Sequence, residues 1–252
     1  MLFAGACTDP NPEPPVHTER LSPRQIANTF EDLTGRRSDE LGALPKADET
    51  LVAGFSLVDA EVIAAAARAT AEALVAEKER TAPCPAGRDP RLCAARVIDN
   101  FGWFAFRGPV PAESRAQLLG MFDALYPQVG YDTAIRAVFE AILQSPLVLY
   151  RIENTVPKED GTFAIDNYAI ASRLSYFLWD SMPDDALLDA ARAGELDDPG
   201  VRVAQVSRML DDPRAPITFT KRVRDWLEID LESLTKDPSI FPAYNVFSPL
   251  AM

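Results

Sequence analysis

The stretch Asp132-Thr-Ala-Ile-Arg-Ala-Val-Phe-Glu-Ala-Ile-Leu143, continued by Gln144-Ser145-Pro146-Leu-Val-Leu-Tyr-Arg-Ile-Glu153, decides the fold class. Ile135, Val138, Phe139, Ile142 and Leu143 recur at helical spacing and line one face of a helix; on a strand the same residues would scatter over both faces. A proline inside a helix costs ~3 kcal/mol, through a lost hydrogen bond and a backbone clash. The helix that starts near Asp132 is therefore expected to end before Pro146. Ser145 should cap a new helix over 146–153 that carries Tyr150 and Arg151.

The same punctuation recurs outward from this point. Ser22-Pro23, Asp89-Pro90, Asp198-Pro199 and Asp212-Pro213 each pair a capping side chain with a proline in a first helical turn. There the missing N–H costs nothing. Met182-Pro183-Asp184-Asp185 is a variant that sets acids against the helix dipole. With Gly35 and Gly194 as C-terminal stops, the spacing predicts helices over 23–34, 57–80, 90–106, 111–126, 132–143, 146–153, 166–179, 183–193, 199–210 and 213–229. Residues 155–165 read as a linker or hairpin. The expectation is a mainly α protein: an irregular multi-helix bundle with one short β-hairpin near 155–165. Four parts follow: a leader and tether over 1–19, a first helical domain over 20–154, the linker 155–165, and a second helical domain over 166–252.

The chain has 252 residues, ample for a core without staples. Its 25 basic and 38 acidic residues leave a net charge of −13. That excludes generic nucleic-acid binding, which needs clustered cations, and disfavours electrostatic docking on anionic lipid. The single histidine, His17, falls in the tether and reads as solvated. With the one histidine in the tether, no Ser-His-Asp triad and no Cys-His pair can be built, and a single histidine makes an H-E-x-x-H zinc site impossible. Phosphate-loop and G-x-G-x-x-G fingerprints are absent. Asp184/Asp185, Asp197/Asp198 and Asp211/Asp212 could supply a glycosidase pair, but each sits at a helix boundary, where capping explains it. The aromatic runs Phe101 to Phe106 and Tyr176 to Trp179 read as core. No catalytic, cofactor-binding or metal-binding residue is assigned, and no cofactor is expected.

Arg151 and Arg173 lie in apolar helical stretches. A guanidinium cannot deprotonate there and must find oxygens. Arg173 is expected to form a structural ion pair with Glu153 or Asp180, clamping the 166–179 helix to the 146–153 helix.

Cys84 and Cys93 bracket a turn rich in proline and glycine with C-x8-C spacing, unlike a zinc knuckle or a covalent haem site. In an oxidising compartment they should form a local disulfide. The start, Met1-Leu-Phe-Ala-Gly-Ala-Cys7-Thr-Asp, resembles the end of a bacterial lipoprotein signal, with Cys7 as the lipid anchor. A proline-rich tether follows.

Four further motifs carry a family resemblance. They are Arg20-Leu-Ser-Pro-Arg-Gln-Ile-Ala-Asn-Thr-Phe-Glu-Asp-Leu-Thr-Gly35, Cys93-Ala-Ala-Arg-Val-Ile-Asp-Asn-Phe-Gly-Trp-Phe-Ala-Phe-Arg107, Ala141-Ile-Leu-Gln-Ser-Pro-Leu-Val-Leu-Tyr-Arg-Ile-Glu153, and Leu174-Ser-Tyr-Phe-Leu-Trp-Asp-Ser-Met-Pro-Asp-Asp-Ala-Leu-Leu188. Together they resemble a bacterial multi-domain family of consecutive domains of unknown function that often accompanies planctomycete-type cytochrome c domains. The resemblance implies an exported, mostly helical protein of the periplasm or outer membrane. It implies protein partners, a cytochrome c-type partner among them, and further C-terminal domains beyond Met252. It supplies no catalytic residue. The expected function is that of a scaffold or interaction module of an envelope lipoprotein. The alternative is a fragment of an envelope hydrolase or haem-linked redox enzyme whose site lies in those further domains.

Overall fold

The computed structural model describes residues 16–44, 56–158 and 162–227. Ten α-helices and two two-stranded antiparallel sheets stand among the described residues, so the protein is mainly α. Cys7 lies outside the described residues, as do the Pro10–Pro15 part of the tether and everything beyond Leu227.

Helix α1 (Pro23–Thr34) opens on Ser22, whose hydroxyl accepts from Gln25 N while the Gln25 side chain accepts from Ser22 N. Gly35, at φ 70°, closes it: the left-handed turn returns its N–H to the Glu31 carbonyl. Helix α2 (Leu57–Ala76) ends short of the expected 80, and a separate turn, α3 (Lys78–Thr81), follows. Helix α4 (Pro90–Ala105) starts on the Asp89 cap. Helix α5 (Ala112–Leu143) covers both helices expected over 111–143, and Gly130, at φ 76°, breaks its helical geometry three residues after Pro127. The Ile135–Leu143 stripe is fully buried.

At Ser145-Pro146 the chain breaks as expected, and Ser145 Oγ accepts from Leu147 N. The new helix, α6 (Pro146–Leu149), is only one turn long. Residues 150–153, expected as helix, are instead a strand. Strand β1 (His17–Arg20) pairs antiparallel with β2 (Tyr150–Glu153), His17 opposite Glu153 and Arg20 opposite Tyr150. The end of the expected tether is thus ordered on β2, and the long-range ladder overrides the local helical pattern of Tyr-Arg-Ile-Glu. The hairpin near 155–165 forms from β3 (Thr155–Pro157) and β4 (Phe163–Ile165).

Helices α7 (Asn167–Leu178), α8 (Asp185–Arg192), α9 (Pro199–Leu210) and α10 (Arg214–Trp226) complete the chain. Asp166, Asp184 and Asp198 cap α7, α8 and α9 through their carboxylates. Of the paired boundary acids, Asp184 and Asp198 are thus spent on free N–H groups, whereas α10 opens on Pro213 without a side-chain cap and Asp212 accepts from Arg214 N.

Buried side chains form two clusters. The larger joins α1, α2, α4, α5 and α6, and takes in Tyr176 and Met182 from the C-terminal half. The smaller gathers Ala171, Trp179, Leu187, Leu196, Met209 and Ala215 from α7–α10. Helix α7 serves both, sending Tyr176 one way and Trp179 the other. The polar chemistry of the protein concentrates where these clusters meet.

Candidate functional site: the polar seam between two helical lobes

At one end of the seam stands Glu153, fully buried on β2. Arg173 of α7 grips it with two parallel bonds, Nε to Oε1 at 2.6 Å and Nη2 to Oε2 at 2.5 Å. Arg151 Nε lies 3.1 Å from Oε1, and His17 Nδ1, on exposed β1, is 3.6 Å from Oε2. Arg151 also pairs with Glu19 across the β1–β2 ladder. The hydrogen bonds from Arg173 are the largest influence on the Glu153 carboxyl, and with the neighbouring cations they hold it below the usual carboxylate range against the opposing effect of burial.

Asp180 lies elsewhere. It follows α7 at φ 57°, buried, and its carboxylate pairs with Arg24 of α1, with Arg222 of α10 3.8 Å away. Its carbonyl accepts from Asn28 Nδ2 at 3.0 Å. The structure thus brings Arg173 to Glu153, while Asp180 joins a second set of contacts with α1. Beside it, Ser181 Oγ donates to Asp32 Oδ2 at 2.6 Å. Burial raises the Asp32 carboxyl above the usual range, and the Ser181 bond and the Arg214 charge only partly offset it.

Between these ends runs a buried chain of hydrogen bonds that sequence reading missed. Arg107, at φ 58° just after α4, donates to the carbonyls of Leu147 and Tyr150 at 2.7 Å and of Val148 at 3.2 Å. These are carbonyls of α6 and of the β2 start, which a one-turn helix leaves open. Arg107 also donates to the Tyr176 phenol oxygen, which is 2.8 Å from Thr29 Oγ1; Thr29 in turn donates to Gln25 O at 2.7 Å. The only sequence signal was position: Arg107 closes one quoted motif and Tyr176 stands inside another.

In the smaller lobe Trp179 Nε1 donates to Met209 O at 2.9 Å, and Arg214 lies over the indole at 3.7 Å. Phe177, expected in the core, is exposed, because the buried face of α7 carries Ser172, Ser175 and Tyr176.

Two further features frame the seam. Trp103 and Phe104 of α4 face α8 across an open groove of about 570 Å³, lined also by Asp99, Asp185 and Arg192. Arg192 covers the Trp103 ring at 4.0 Å, and Asp99 is bound by Arg115 at 2.6 Å. Cys84 and Cys93 are joined as a disulfide, with Cα atoms 5.4 Å apart, tying the loop before α4 to its first turn. No group of His, Cys, Asp or Glu among the described residues could hold a metal ion. No helix among them is long and apolar enough to cross a membrane.

The fold and its seam thus define a helical module whose buried charges face one another across two lobes. Residues 93–153 match the family described as PSD5, protein of unknown function (DUF1595), and residues 165–252 match PSD4, protein of unknown function (DUF1592). The two matches follow one another along the chain, and Glu153 is the last residue of the first. No curated protein and no solved structure matches the chain.

Proposed function

We propose that the chain is a non-catalytic structural module of an exported envelope protein. It is a helical scaffold tethered through a lipid on Cys7, and it holds further domains or protein partners, a cytochrome c-type partner among them, in a fixed relation. The observation that carries this reading is how the buried carboxylates of the seam are used. Glu153 faces Arg173 and Arg151, and Asp180 faces Arg24. Carboxylates held in this way rigidify a junction; a general acid or base needs its carboxyl free to trade protons with a substrate. The disulfide agrees with an oxidising compartment. The motif resemblance agrees with export.

The test expresses the complete gene product in a bacterial host with an outer membrane. Labelled palmitate is followed into the protein, and in-cell cross-linking is read by mass spectrometry. The reading expects Cys7-dependent labelling, recovery from the envelope with Cys84–Cys93 oxidised, and a discrete set of cross-linked partners. Cytoplasmic recovery with reduced thiols would overturn it. So would turnover of an envelope substrate that Glu153→Gln abolishes in a folded protein.

A further inference from the structure

The Cys84–Cys93 bridge has one inward and one outward end. Cys93 is buried, whereas Cys84, between the exposed Pro83 and Pro85, is only half-buried. A recess of about 80 Å³ opens beside the bridge, lined by Pro83, Pro85, Arg88, Leu92, Cys93 and Arg96. A water molecule takes about 30 Å³ of liquid, so the recess has room for a group the size of a thiol side chain. Its charge is a second, separate observation. The arginines that flank it in sequence are spent, Arg80 on Glu77, Arg91 on Asp123 and Arg115 on Asp99. Arg88 and Arg96 are exposed, and among the described residues neither makes an ion pair or a side-chain hydrogen bond. Arg96 follows Cys93 by three residues and shares its side of α4. The nearest acid, Asp89, is occupied as the helix cap and accepts from Arg91 N at 2.9 Å. Two unspent guanidiniums thus border a recess at a disulfide, in a chain whose net charge of −13 disfavours anions elsewhere.

We propose that the bridge is a thiol–disulfide exchange site for a small anionic thiol. The thiol lies in the recess with its anionic groups on Arg88 and Arg96, and its thiolate attacks Sγ of Cys84, the more exposed cysteine. A bond forms between the incoming sulfur and Cys84 Sγ, the Cys84–Cys93 bond breaks, and its electron pair leaves on Cys93 Sγ as a thiolate. The step balances without an outside oxidant: one disulfide and one thiolate become one mixed disulfide and one thiolate. Cys93 is the better leaving group. It closes the first turn of α4, with its N–H bonded to Asp89 O at 3.2 Å, and Arg96 stands one turn on; both favour a thiolate there. The fold accommodates the step, since α4 keeps its Asp89 cap and Ala86, Gly87 and Arg88 of the freed loop are exposed. The proposal is independent of the scaffold reading, which rests on the seam.

Competition between thiols of opposite charge tests it. The oxidised full chain is mixed at low ionic strength with glutathione, a net anionic thiol, or with cysteamine, a cationic one, at equal thiolate concentration. Free cysteines are alkylated at intervals and located by peptide mass spectrometry. Glutathione should open the bridge about tenfold faster than cysteamine, the size expected of two solvated charges a few ångströms away. The glutathionyl mass should fall on Cys84 and the alkyl mass on Cys93. Arg88→Gln combined with Arg96→Gln, at two exposed and unpaired positions, should bring the two rates together while the thermal melt stays native. Added salt should do the same. Equal rates for the two thiols on the native protein would overturn the proposal, as would an adduct confined to Cys93 or a bridge that neither thiol opens without denaturant. A preference for glutathione that survives the double substitution would place recognition outside the recess and overturn it equally.

Discussion

Arg107 Nη1 lies 3.2 Å from the phenol oxygen of Tyr176, and through this contact the cap of the one-turn helix α6 is tied to α7. The guanidinium also serves three carbonyls of residues 147–150. Its removal would take a donor from each of these carbonyls, Val148's being buried, and break the path to Thr29. Arg107→Ala is expected to cost about 3 kcal/mol or more in urea unfolding. Tyr176→Phe, which removes only the hydroxyl, should cost about 1–2 kcal/mol. Arg107→Lys should recover less than half of the loss, since one ammonium cannot span four acceptors. A cost for Arg107→Ala no larger than that of the exposed Arg91→Ala would show that this network does not hold the seam.

The Glu153–Arg173 pair is asymmetric. Glu153 is buried, whereas the Arg173 side chain is 51% exposed and Arg151 stands by as a second cation. Arg173→Ala is therefore expected to cost about 1–2 kcal/mol, less than the ~3–5 kcal/mol typical of a fully buried pair. Glu153→Ala should cost more than Arg173→Ala, because it strands both guanidiniums. Thermal melts of the two variants read the order directly, and a reversed order would remove Glu153 from the centre of the clamp.

The two shifted carboxyls of the seam predict opposite slopes with pH. The Glu153 pKa is depressed, so its contribution is complete above the usual carboxylate range and is lost as pH falls through the depressed value. The stability gap between the native protein and Glu153→Gln should then be flat near neutrality and shrink in acid. The Asp32 pKa is raised, so its contribution is complete below the usual range and declines as pH rises through the raised value. Asp32→Asn should remove that decline. Guanidinium melts at stepped pH measure both, and a gap for Glu153→Gln that widens in acid would contradict the assignment.

Opening the Cys84–Cys93 bridge releases a short loop, with nine positions separating the two residues. Reduction, or paired serine substitution, should lower stability by roughly 2–3 kcal/mol in the loop-entropy account. The helix content seen by circular dichroism should be retained, since α4 keeps its Asp89 cap. Loss of most helix on reduction would mean that the bridge holds more than its own loop.

Two glycines should respond in opposite directions to alanine. A Cβ on Gly108 would come within 3.0–3.1 Å of the Tyr168 ring, whose edge packs on Trp103. Gly108→Ala should therefore cost ~1–3 kcal/mol by overpacking. Gly120 lies within α5 with nothing within 4 Å of its added Cβ, so Gly120→Ala should stabilise by about 0.5–1 kcal/mol. Differential scanning calorimetry distinguishes the two signs.

Much of this fold was legible residue by residue, because it rests on short-range chemistry. The caps at Ser22, Asp89, Ser145 and Asp198 act within three residues of themselves, and the 135–143 stripe needs only helical geometry to be recognised. The Cys84–Cys93 pairing was within reach because so few residues separate the two cysteines. Other features were decided by partners distant in sequence. Tyr150–Glu153 carries a helical pattern, yet becomes a strand because His17–Arg20 comes to pair with it. Phe177 carries the same hydrophobic signal as Tyr176, yet lies in solvent because α7 turns its neighbour inward. Arg107 could be counted in the sequence, but its four acceptors come from residues 147–176 and exist as a set only once α6, β2 and α7 meet. Local free energies of capping and periodicity are set by neighbours a turn away, so the amino-acid sequence by itself determined where the capped helices start and which faces of them are apolar, though not that 150–153 leaves the helix for a strand. The desolvation and pairing of Arg107, Glu153 and Asp180 depend on elements brought together across 20 to 150 residues, so only the tertiary structure decided where the two lobes are joined.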